Sequence, residues 1–257
     1  MRSGRIFSFC ALLLVSAFIL VCISRARKGK PVSVRPISGL EAIPEAIGRA
    51  VEMGKPVFYN PGIADIVGTT AAQTMAGLVA LGYTADLCAK YDCVLLVPIR
   101  QPNVLPLAEE TVKTAFANNG KVENYNPNWI QYLSSEQWAF VGGCMGIIER
   151  ERPAAHIMIG GFWSESLILV EGGNTVGAIQ IGGTANLPQV PFFVAACDYT
   201  LIGEEIYAAA ASASQDPVAL GSIEGQDFSK ILAIFLIVLG SLFSTFGSDF
   251  VKNLIKK

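Results

Sequence analysis

Three short polar loops in this 257-residue chain have residue types suited to holding a ligand. They are Asn60-Pro61-Gly62 leading to Gly68-Thr69-Thr70, Gly160-Gly161 leading to Ser164-Glu165, and Gly182-Gly183-Thr184. Glycine lets a ligand approach the backbone, and a serine or threonine at a helix start offers a hydroxyl beside unpaired amides. Ordinary turns and helix caps recruit the same residues, and they account for the pattern equally well. A fourth cluster is acidic, with Asp198 directly after an apolar segment and Glu204 and Glu205 opening a helix. Converging carboxylates can share acid–base work or hold a divalent cation. Acids in a helix's first turn are also favoured by the helix dipole alone. The candidate ligand-contacting set is therefore Thr69, Thr70, Ser164, Glu165, Gly183, Thr184, Asp198 and Glu204.

Other chemistries lack their residues. The sequence contains neither G-x-x-x-x-G-K-[ST] nor G-x-G-x-x-G, so the phosphate-cradling loops of nucleotide-binding folds are missing. No G-x-S-x-G surrounds a serine, and Cys144 is expected mid-helix, where a thiolate gains nothing from a helix start. The single histidine, His156, lies in an apolar stretch and reads as a hydrogen-bonded core residue. Cys88 and Cys93 make half of a metal site with no second pair, and read better as small buried hydrophobes. Trp129, Trp138 and Trp163 are expected to pack a core or an interface. No catalytic residue, metal ligand or cofactor can be assigned from these patterns.

Alternating elements must position the candidate residues. Helices are predicted over residues 39–53, 70–81, 107–117, 134–152, 165–171 and 203–213. Thr70 with Gln73 and Ser134 with Gln137 form capping boxes, and Ser164 is placed to cap the fifth of these helices. Strands are predicted over residues 56–59, 93–99, 155–159, 177–181 and 191–197, with residues 121–125 as a short edge strand. The strands are short, continuously apolar runs, as in a parallel sheet covered on both faces, and do not alternate as a half-wet antiparallel sheet would. The expected fold is α/β, a mostly parallel, doubly wound sheet flanked by terminal transmembrane helices. In such sheets ligands bind outside the carboxyl ends of the strands, where the glycine-containing loops lie.

The two ends are greasy. Residues 6–23 contain no charge and span roughly 27 Å as a helix, close to a bilayer core. A cleaved signal peptide has a shorter apolar stretch and ends in small residues, whereas this run exits through Val21-Cys22-Ile23-Ser24 into Arg25, which predicts a retained anchor. Residues 231–246 form a second, shorter run that is apolar on all sides. Hence the expected division is an anchor at 1–24, a basic linker at 25–38, an α/β domain at 39–226, and a transmembrane helix with a basic tail at 227–257. Residues 36–226 carry eight Lys/Arg against nineteen Asp/Glu, an acidic body that repels phosphate backbones and argues against nucleic acid as a partner. Arg25, Arg27, Lys28, Lys30 and Arg35 follow the first span and predict a cytoplasmic domain, while Lys252, Lys256 and Lys257 after the second argue the opposite way.

One stretch carries a likeness. Gly182-Gly183-Thr184-Ala185, Pro191-Phe192-Phe193, the run Asp198-Tyr199-Thr200-Leu201-Ile202-Gly203-Glu204-Glu205, and Gly225-Gln226-Asp227 resemble a family of membrane-anchored bacterial and archaeal proteins classified as a domain of unknown function. The resemblance covers roughly residues 35–230. It implies membrane association and brings no reaction or catalytic residue with it. Together these readings predict a membrane-anchored α/β binding or assembly module with the lipid bilayer and further copies of itself as partners. The alternative is a sensor or enzyme for a small ligand or nucleotide, using the crevice at the carboxyl ends of the strands.

Overall fold

A computed structural model describes residues 6–30, 32 and 35–245 of the chain. The flanking Arg2 and Arg5, and the tail with Asp249, Lys252, Lys256 and Lys257, lie outside the described residues. In chain order the elements are α1 (Ile6–Arg27), α2 (Ser38–Glu52), β1 (Val57–Gly62), α3 (Ala71–Tyr91), β2 (Leu95–Ile99) and α4 (Leu105–Asn118). There follow β3 (Ile130–Tyr132), α5 (Gln137–Glu151), β4 (Ala155–Gly161), α6 (Ser166–Val176), β5 (Ile179–Thr184), α7 (Val190–Ala196), β6 (Tyr199–Ile202), α8 (Glu205–Ser214) and α9 (Pro217–Thr245). They form two compact units. Arg35–Ser214 is one, and the two chain ends, Met1–Val34 with Gln215–Lys257, make the other.

In the terminal unit, Phe7–Arg27 and Pro217–Phe243 are each long and apolar enough to cross a membrane. The helices touch through glycine. A Cβ on Gly221 would lie 2.7 Å from Ile23 Cα, and one on Gly225 would lie 2.8 Å from Ile19 Cα, so the two backbones are in contact there. Small residues spaced by four permit this approach where no apolar core drives it. Phe18 stacks on Phe228 at 3.7 Å between ring centroids. As α1 numbers fall α9 numbers rise, so the pair is antiparallel. α9 begins at Pro217, well before residue 227, because nothing between them breaks a helix. Its first half carries the charged residues Glu224, Asp227 and Lys230. Lys230 donates to Asp227 at 2.7 Å, and Arg25 lies 4.0 Å from Glu224.

The α/β unit is built on a six-stranded, all-parallel sheet in the order β3-β2-β1-β4-β5-β6. β1 and β4 are buried at every residue, which is why they read as unbroken apolar runs. Helices α2, α3, α4 and α8 cover one face, and α5, α6 and α7 the other. Under the second group, Phe58, Met158, Phe140, Cys144, Ile148, Phe162, Leu169 and Phe193 form one continuous core. Each fully buried phenylalanine there contributes about 2 kcal/mol from apolar burial. On the opposite face Tyr59 Oη donates to Gly77 O at 2.6 Å, tying β1 to α3; burial holds that phenol well above its ordinary pKa.

Two predicted strands take another form. Residues 191–196 are helical within α7, where only Phe193 is buried, and Cys197 follows it. Parallel β5 and β6 need a crossover, and Pro191 near the start of this segment suits a helix opening. Phe193 then sits over Gly182, where any Cβ would meet its ring at 2.2 Å. Residues 121–125 contain a 3-10 turn, Val122–Asn124, held as Lys121 Nζ donates to Asp92 at 2.6 Å. The edge strand is β3, a few residues later, paired to β2 through Val97 and Ile130.

Candidate functional site

The strand order reverses between β1 and β4. From β1 the chain winds outward to β2 and β3, and then crosses to β4 and winds the other way to β6. In this topology the crevice at the carboxyl ends of the two central strands is where ligands ordinarily bind. Here Asn60-Pro61-Gly62 and Gly160-Gly161 stand at that point. Their backbones close it. β1 and β4 remain paired out to Gly62 and Gly161, with a register shift after Asn60, and Ile63 N donates to Gly161 O at 2.9 Å. Gly160 has φ +154°, and a Cβ on it would fall 2.0 Å from Pro61 O. Across the loop, a Cβ on Gly77 of α3 would fall 2.4 Å from Ile159 O. Gly62, Gly77 and Gly160 serve backbone-to-backbone packing, Gly161 packs on the Ala64 side chain, and Gly68 alone of the loop glycines here faces open space.

Of the predicted residues, two are tied into this edge. Thr184 is fully buried at the end of β5; its Oγ1 donates to Gln73 Oε1 at 3.4 Å and accepts from Asn186 N at 3.2 Å. Glu165 is fully buried before α6, where Oε1 accepts from Trp163 N at 2.7 Å and Oε2 from Gln137 Nε2 at 2.6 Å. Gly183 packs against Leu201 and Ile206. Thr69 and Ser164 are exposed loop residues, Thr70 is half-buried, and Glu204 is exposed at the start of α8. Thr70 precedes α3 with helical backbone angles and without a side-chain cap, and Gln73 turns to Thr184 and Ala185 N in place of closing a capping box. Ser134 is likewise not the cap of α5. Glu136 is, accepting from Ala139 N at 2.6 Å, and these amides hold its carboxyl below the usual range.

Asp198 corrects the sequence reading most sharply. Since the segment before it is the helix α7, Asp198 precedes β6 and lies at the amino edge of the sheet, away from Thr184 and Glu165. Its Oδ2 accepts from Gln180 N at 2.8 Å, a structural cap on β5. It therefore forms no pair with Glu204, which stands at the carboxyl end of β6. Among the described residues no group of three or more His, Cys, Asp or Glu converges to hold a metal. Trp138 and Trp163, expected in a core or an interface, are 54% and 37% exposed.

The sequence reading missed Asn60 as a side chain, Arg100, Gln73, Gln137 and Asn186. Asn186 Nδ2 donates to Phe162 O at 2.8 Å, stitching the loops after β4 and β5. Asn60 is fully buried, with Oδ1 accepting from Gly62 N at 2.9 Å and Nδ2 without a partner. Arg100 Nη1 donates to Ile63 O at 3.0 Å, while its buried Nε has no partner. Leaving a buried donor unmatched costs about 1–3 kcal/mol, more when it is charged. The available signal was position, since Arg100 follows an apolar strand at once and Asn60 sits inside one.

His156 lies away from this edge, in the core beside Phe58. Its Nδ1 faces Gln180 Oε1 at 3.0 Å; Gln180 Nε2 already donates to Val170 O and Asn174 Oδ1, so the proton between them belongs to His156. Burial lowers the histidine pKa to about 4. Burial likewise raises Cys144, and carries Cys197 up to about 12 with help from Asp198. These thiols are poor nucleophiles.

The chain belongs to the family described as Domain of unknown function (DUF6754), whose model matches residues 1–255. That match takes in both terminal apolar segments as well as the sheet, so the helices are part of what defines the family. No curated protein and no solved structure matches the chain.

Proposed function

We propose that this protein is a membrane-anchored α/β module that works by self-association and not by catalysis. The observation that carries the reading is the closed switch point: where a doubly wound domain ordinarily takes its ligand, Gly160 and Pro61 pack backbone on backbone. The loops around that point expose apolar side chains instead. Val67 is 71% exposed and Leu187 68%, with Trp138 on the same edge. Such exposed apolar side chains offer a contact surface to a second copy, and the loop after β5, residues 185–189, carries no charge to oppose it. Anchoring confines copies to one plane and raises their effective concentration. Arg25 and Arg27 in the last turn of α1, with Lys28 and Lys30 just beyond it, favour the cytoplasmic side for the α/β unit.

The test is the mass of the full chain in detergent, corrected for bound detergent by light scattering. A dimer or larger species is expected, and Leu187→Glu should shift it toward monomer. A monomer at every concentration would overturn the proposal. Anchoring itself is checked by alkaline carbonate washing of membranes, which should leave the protein in the pellet.

A further inference from the structure

Beside the closed switch point, on the face covered by α5 and α6, the carboxyl edge keeps polar groups that the fold does not satisfy. Phe58 of β1 belongs to the core under those helices, so Asn60, two residues on, lies on the same face. Leu96 of β2 packs on that core as well, and so does Ile63, whose carbonyl Arg100 grips. Phe58 pairs with Leu96 in register, which sets Arg100 diagonally beyond Asn60 on the neighbouring strand. Parallel strands run about 4.8 Å apart, well within reach of an arginine side chain. Two buried donors without acceptors, Asn60 Nδ2 and Arg100 Nε, therefore belong to the same face of neighbouring strands at this edge.

Their surroundings narrow the acceptor. Both are N–H donors and one is cationic, so the matching group is an anion offering two oxygens. Glu136, whose carboxyl feels the Arg100 charge, and the buried Glu165 already supply negative charge at the starts of α5 and α6. Beside them a monoanion is better tolerated than a phosphate dianion. The Asx turn at Asn60 also needs only its Oδ1. We infer that Asn60 and Arg100 form the floor of a seat for a small carboxylate anion, with the Gln137–Glu165 pair as its wall. Trp138 and Trp163 flank that pair in sequence, being next to Gln137 and two residues before Glu165. Binding should register in their fluorescence.

The experiment titrates the full chain in detergent with sodium acetate, against sodium phosphate and sodium chloride at matched ionic strength. Tryptophan emission and melting temperature are followed together. Acetate should give a saturable change in both, and the other two salts should not. Asn60→Asp keeps the turn while replacing the donor by an acceptor, and it should weaken acetate binding by about tenfold or more, equal to at least one decade in Kd. Arg100→Gln should do the same and serves if Asn60→Asp fails to fold. No saturable response, an equal response to phosphate, or an unchanged acetate response in a folded variant would overturn the assignment. The measurement is independent of oligomer mass, so it can fail while the self-association reading stands.

Discussion

Glycine does the same job in both units of this protein, under different driving forces. In the α/β unit, Gly62, Gly77 and Gly160 let strand, loop and helix backbones touch at the end of a sheet. Two cores on either side hold those elements in place whether or not the glycines fit well. In the terminal unit, Gly221 and Gly225 let α1 and α9 touch, yet the outward faces are bare, with Leu20 65% and Ile237 71% exposed. Close packing is then the main attraction between the helices, as it is in a lipid medium. A bulky substitution should therefore act globally in the first unit and locally in the second.

The largest effect is expected from Gly160→Ala. Its methyl would collide with the Pro61 carbonyl at a φ that side chains rarely adopt, costing about 4 kcal/mol or more and depleting folded protein. Thermal denaturation of the full chain in detergent measures this directly. A small change would break the comparison, because it would mean that the two backbones can part freely.

Acidification should come next, and it should touch only the α/β unit. His156, the sole histidine, has its pKa lowered from 6.5 to about 4 by burial. Between those values the unfolded chain binds the extra proton, so stability present above pH 6.5 is lost as pH falls toward 4. The total is about 3 kcal/mol. His156→Gln should flatten the pH dependence of the melting temperature in that window. An unchanged slope would show that the carboxylates dominate it.

Gly221→Ile should separate α1 from α9 at a cost of about 1–2 kcal/mol, while leaving the melting of the α/β unit unchanged. Cysteines introduced at Phe18 and Phe228, whose rings stack, should cross-link in the parent and lose that yield in the variant. The smallest effect expected is for Glu136→Ala, which removes the α5 cap and should lower the denaturation midpoint slightly in a denaturant titration. Equal losses from Gly221→Ile in both units would erase the distinction drawn here.

Much of the architecture was legible because it is local. The apolar runs at residues 56–59, 93–99 and 155–159 read as buried strands and form β1, β2 and β4, and the Ile43, Ile47 and Val51 spacing reads as a helix and lies in α2. Residues 191–197 misled because Pro-Phe-Phe-Val-Ala-Ala-Cys is as apolar as a strand, and only the need for a crossover between β5 and β6 makes it α7. That one error carried Asp198 to the wrong edge. Thr184 and Glu165 were found for their loop positions, but their partners Gln73 and Gln137 looked like caps. A glutamine three residues into a helix is the same pattern whether it turns back to its own helix or reaches across to another strand.

By itself, the amino-acid order determined the parallel α/β class, two apolar helices at the ends and an acidic body without a nucleotide loop, since burial and periodicity are properties of neighbours along the chain. Tertiary structure alone decided the β3-β2-β1-β4-β5-β6 order, the closing of the switch point by glycine against carbonyl, and the stranding of Asn60 Nδ2 and Arg100 Nε without acceptors. Those outcomes depend on which distant backbones meet, and the free energy of such meetings is settled only when the whole core has closed around them.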